Sequence, residues 1–76
     1  KCMPRLYSAR VVISTLQRAG FSIVSQRGSH IKLQKVQKDK TFTAIVPNHK
    51  EIALGTFASI LKQAGMTRNE FEDFMK

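Results

Sequence analysis

Apolar side chains at Val12, Ile13, Leu16 and Ala19 follow the three-and-four spacing of one helical face, directly after Ser8, a residue suited to accept from the free amides of a first turn. The pattern predicts a helix over 8–19. Gly20 supplies the left-handed position that closes such a helix, and Phe21 can then fold back onto the last turn. Beyond it the period falls from near 3.6 to near two, over 21–26 (FSIVSQ) and again over 30–36 (HIKLQKV), with Arg27-Gly28-Ser29 as turn chemistry between. On the second of these strands Ile31 and Leu33 share one face, while His30, Lys32 and Gln34 share the other. Gln37-Lys38-Asp39-Lys40 predicts the next turn. The segment 41–46 (TFTAIV) is rich in β-formers, and Pro47, lacking a donor, ends it. After a loop of about eight residues, Thr56 is expected to cap a helix whose Phe57, Ile60, Leu61 and Ala64 form an apolar stripe ending at Gly65. Thr67 with Glu70 then reads as a capping box ahead of Phe71, Phe74 and Met75.

The predicted order is αβββαα, an α+β fold with a three-stranded antiparallel sheet. One helix cannot hide so many aliphatic side chains, so helices are expected to pack on one face of the sheet and to leave the other largely open. The open face, carrying His30 and Lys32, is the one expected to meet a ligand. Phe21, Phe57, Phe71 and Phe74 all fall on inferred core positions, which leaves Tyr7 and Phe42 as candidates for stacking on bases. The segments LQRAGF (16–21) and LKQAGM (61–66) look alike, yet they share helix-ending punctuation and no repeat period.

At 76 residues the chain is expected to form one domain over 1–76, with a modest core and no deep enclosed cavity, so any site should lie on an open surface suited to a polymer. Hydrophobic residues at 42% and charged residues at 24% argue against a disordered segment. The 13 Lys and Arg outnumber 5 Asp and Glu, giving a net charge of +8, and the pI is near 10.3. Such an excess points to a polyanion, a nucleic acid or an acidic protein, beside the blander reading of a domain that is merely basic. A single cysteine, Cys2, allows neither an intrachain disulfide nor a cysteine-based metal site. No apolar run approaches the ~20 residues of a membrane span and no charged-then-apolar leader is visible, so the expected setting is cytoplasmic, with no membrane partner.

Two histidines carry the side chain best able to donate and accept protons near neutrality. His30 follows Gly28-Ser29, where a glycine permits close backbone approach and Ser29 with the turn amides can bind a phosphate oxygen. Arg27, Lys32 and Lys35 surround that hairpin with positive charge, suited to a phosphate chain and to charge developing at phosphorus. His49, beside Lys50 in the loop VPNHK (46–50), reads as an RNA contact, as a secondary proton-transfer group or, more blandly, as a loop histidine bonded to backbone. The carboxylates are badly placed for a metal: Asp39 lies between lysines in a turn, and Glu70, Glu72 and Asp73 sit on the last helix in capping and solvated positions. Neither a metal or other cofactor nor a Ser-His-Asp or Cys-His scheme is expected.

Taken in order, LQRAGF (16–21), QRGSHIKL (26–33), VPNHKEI (46–52), Gly55-Thr56 and ILKQAGM (60–66) resemble the HicA family of mRNA interferase toxins, also called YcfA-like. The resemblance implies a fold similar to double-stranded RNA-binding domains, metal-independent endoribonuclease cleavage of mRNA, and a HicB-type antitoxin that covers the active surface. It also implies that His30, the histidine of the GSH element, is catalytic, and it places His49 in the family's Pro-x-His-Lys element. Many members carry an acidic residue in the first turn of helix one where this chain has Val11, which removes one capping box. The rival readings are a non-catalytic RNA-binding module on the same fold and a pure protein-interaction adaptor. The first is disfavoured because the second helix begins without the basic cluster such modules place against phosphates; the second predicts no RNA affinity and no salt dependence.

Overall fold

A computed structural model describes residues 6–75; Cys2 lies outside them. The elements run α1 (Ala9–Arg18), β1 (Ser22–Arg27), β2 (His30–Gln37), β3 (Lys40–Pro47), α2 (Leu54–Ala64) and α3 (Arg68–Met75), the expected αβββαα order. The strands form one antiparallel sheet in the order β1-β2-β3. Among the described residues, no helix is long and apolar enough to cross a membrane.

Local chemistry explains most of the helix ends. Ser8 Oγ accepts from the Val11 amide at 3.2 Å, so α1 keeps its N-cap although its first turn holds no acidic residue. At its other end the Phe21 N–H donates to the Leu16 carbonyl (2.9 Å) and the Gly20 N–H to that of Gln17 (3.1 Å). Met66 to Leu61 (3.1 Å) and Gly65 to Lys62 (3.2 Å) repeat the arrangement at the end of α2. Both segments are therefore Schellman closures with leucine and an apolar residue bracketing a glycine. At α3 the expected capping box is complete: Thr67 N–H donates to Glu70 Oε1 (2.8 Å) and Glu70 N–H to Thr67 Oγ1 (3.1 Å).

The start of α2 differs from expectation. The helix begins at Leu54, its N-cap is Ala53 with no side-chain cap bond, and Thr56 lies inside the first turn. A tertiary anchor replaces the cap, because Ile52 is buried and its N–H donates to the Tyr7 carbonyl at 2.8 Å, which fixes the chain just ahead of the helix.

The core lies between the helices and one face of β2 and β3. Ile31 and Leu33 from β2 meet Ala44 and Val46 from β3, covered by Val12 and Leu16 of α1 and by Phe57, Ile60 and Leu61 of α2. Phe71 is fully buried in a trio with Phe57 and Tyr7, with ring centroids 5.0–5.6 Å apart. Phe21 and Phe57 are core residues as expected. Phe74 is not: it is 39% exposed, because the short α3 turns Phe71 inward and leaves Phe74 at the rim of a groove shared with Phe42 and Met66. Every residue of β1 is exposed, so this outer strand extends past the helical layer.

Candidate nucleic-acid interface

The first hairpin positions His30. Arg27 pairs with His30 across a turn made by Gly28 and Ser29. Gly28 has φ +54, a left-handed backbone that strains other residues, and an added Cβ there would meet nothing within 4 Å. A partner's backbone can thus approach the turn closely. Along β2 the burial alternates, with Ile31 and Leu33 inside and His30 and Lys32 exposed on the opposite, uncovered face. Register sets Arg27 beside His30, and Ser25 beside Lys32, despite the irregularity between Ile23 and Ser25.

Two shallow clefts meet at His30. The first is lined by Ser25, Arg27, His30, Lys32 and Ile45, and the second brings His30 together with His49 and with Thr56, Ser59 and Gln63 of α2. Their volumes, about 390 and 360 Å³, match only the smallest small-molecule pockets, and both are open to solvent. Such a surface accommodates a chain lying across it better than a ligand enclosed within it.

The loop carrying His49 is fixed by backbone bonds. Asn48 N–H donates to the Ser29 carbonyl, His49 N–H to the Pro47 carbonyl (2.9 Å), and the His49 carbonyl accepts from Ala9 N–H at 2.9 Å. Since Pro47 is the cross-strand partner of His30, these contacts hold His49 two residues past the position facing His30. Gln63 Oε1 accepts from the Ile45 amide at 3.0 Å, drawing α2 along the edge of β3 and forming the far wall of the second cleft.

Arg27, Gly28, Ser29, His30, Lys32 and His49 are thereby gathered on one side of the molecule. Lys50, next in the loop, is exposed but lines neither cleft. Lys35 is not brought to this face. It shares the parity of Ile31 and Leu33, its ammonium lies 6.0 Å from the Phe21 ring centroid, and its methylenes run against Gly20 on the helix-covered side. Neither stacking candidate reaches the open face: Tyr7 is held in the aromatic trio and Phe42 on the core side against Gly65. Thr56, Ser59 and Gln63 were not foreseen as site residues. Their signal was a spacing of three and four along the flank of the apolar stripe, occupied only by uncharged polar side chains.

Neither cleft is lined by a carboxylate, and among the described residues no three His, Cys, Asp or Glu side chains come together as metal ligands. A family model described as the HicA toxin of bacterial toxin-antitoxin systems matches residues 9–66. The chain belongs to the HicA toxin family. A comparison with curated proteins finds no match. The HicA match runs from the first residue of α1 to Met66 and so contains His30, His49 and the α2 wall of the second cleft, while α3 falls outside it. HicA membership makes the chain a toxin of a toxin-antitoxin system, with an antitoxin as its counterpart.

Proposed function

We propose that this HicA toxin is a metal-independent endoribonuclease that cleaves mRNA, with His30 transferring a proton at the cut linkage. The observation that carries the reading is the position of His30, exposed and flanked by Arg27 and Lys32 at the junction of two open clefts, neither of them lined by a carboxylate. A single strand crossing from one cleft to the other passes the imidazole, with Arg27, Lys32 and Lys50 available to phosphates and the Gly28-Ser29 turn to a phosphate oxygen. The cations also offset negative charge developing at phosphorus. The net charge of +8 supports attraction to RNA and, equally, to an acidic HicB-type antitoxin laid over the same face.

A positioned acid or base contributes ~10²–10⁴-fold, so His30→Ala in EDTA should lose cleavage by about that factor while keeping much of its RNA affinity. Equal cleavage by wild type and His30→Ala, after removal of contaminating nuclease, would overturn the assignment. For the partner, co-expression with the adjacently encoded protein should relieve growth arrest, and purified complex should not cut RNA. Arrest that persists despite complex formation counts against masking of this face.

A further inference from the structure

We infer that His49 is the second proton-transfer group of this site, paired with His30 in an internal attack by the RNA's own 2′-hydroxyl. The inference rests on the ribonuclease reading above and adds to it a second residue and a class of product.

Cleavage without a divalent ion has two proton problems. The 2′-hydroxyl must lose a proton as its oxygen attacks phosphorus, and the departing 5′-oxygen must gain one as the P–O5′ bond breaks. One neutral imidazole takes the first proton and one imidazolium supplies the second. The 2′-O–P bond forms, the P–O5′ bond breaks, and the products are a 2′,3′-cyclic phosphate and a 5′-hydroxyl, with no other reactant consumed.

The structure supplies two imidazoles for these tasks. His30 and His49 line the same cleft. The His49 backbone is tied through its own amide and carbonyl and through the neighbouring Asn48 amide, so the ring's origin is fixed although the side chain is exposed. Among the described residues, neither imidazole is engaged in a hydrogen bond or ion pair with the protein. Both remain available to a substrate. The charged groups on the elements around them are Arg27 of β1, Lys32 of β2, and Lys50 and Glu51 in the loop; the polar side chains that α2 brings to the cleft are Thr56, Ser59 and Gln63, and α1 bonds the loop through the Ala9 amide. Imidazole is the side-chain type suited to proton exchange in both directions near neutrality.

The test compares wild type, His30→Ala and His49→Asn on one short RNA and on the same RNA with sulfur replacing the bridging 5′-oxygen at the cut. His49→Asn keeps every backbone contact of the loop, and matching thermal melts establish that it is folded. The expected result is a loss of ~10²–10⁴-fold in kcat with little change in KM, and a bell-shaped pH profile that loses one limb in each variant. Sulfur leaves without a proton, so the thio substrate should restore whichever variant lacks the acid and leave the other impaired. A 2′-deoxy residue at the cut should abolish cleavage. Retention of wild-type kcat and both pH limbs by His49→Asn overturns the pairing while leaving His30 in place. Cleavage of the 2′-deoxy substrate overturns internal attack. Undiminished cleavage by His30→Ala instead removes the ribonuclease assignment on which the pairing stands.

Discussion

Replacing Gly65 by alanine should be far more damaging than replacing Gly28, although both glycines have positive φ. At Gly65 (φ +70) a Cβ would lie 2.7 Å from Phe42 Cε1 and 3.0 Å from Cδ1, whereas at Gly28 (φ +54) nothing lies within 4 Å. The left-handed backbone alone costs an L-residue ~1–2 kcal/mol, and that is the whole loss expected at Gly28. At Gly65 the ring must also move, although Phe42 is half-buried against the core and the Schellman bonds hold the glycine in place. Overpacking of this kind adds ~1–3 kcal/mol. A domain of this size has only ~4–11 kcal/mol in total, so Gly65→Ala should approach the folding limit while Gly28→Ala stays well folded. Urea titration of both variants, with Phe42→Leu alone and combined with Gly65→Ala, separates the terms. Removing the ring should recover ~1 kcal/mol or more as a coupling energy in the cycle. Equal losses at the two glycines, or a coupling near zero, would show that the ring contact does not govern the site.

Other outcomes follow from residues already placed. Lys32→Ala should weaken RNA binding at every sequence and reduce the salt slope by about 0.7, whereas Lys35→Ala, on the covered side, should change neither in a filter-binding titration. Phe71→Ala removes a fully buried ring from the aromatic trio and should cost ~3–5 kcal/mol, enough to leave a large unfolded fraction by circular dichroism. Thr67→Ala removes the acceptor of the Glu70 amide and should cost ~0.5–2 kcal/mol in chemical denaturation, with cleavage of RNA unchanged in the folded fraction.

Features set by neighbouring residues were readable in the chain, and those set by distant contacts were not. The two Schellman closures, the Thr67-Glu70 box and the alternation on β2 depend on short spacings, and each stands where those spacings put it. Lys35 departs from the expected cationic face, and the same alternation explains why: its parity with Leu33 turns it away from Lys32. Thr56 failed as a cap because burial of Ile52 and its bond to Tyr7 outweighed side-chain preference in fixing where α2 begins. Tyr7 stands as a stacking candidate in the sequence because nothing near it reveals Phe57 and Phe71. For the site, His30 and its cationic neighbours were legible at the hairpin. The wall made by Thr56, Ser59 and Gln63 was not, because it exists only once α2 lies along β3.

The moorings of the 48–52 segment join parts of the chain made far apart in time. Tyr7 and Ala9 emerge from a ribosome before their backbone partners at Ile52 and His49, which follow some forty residues later. Until that later stretch is released, the β1–β2 hairpin can form but the second cleft has no floor and no far wall. A copy synthesised only as far as β2 therefore presents His30 alone on an unfinished surface, and the complete groove arises only once α2 has followed.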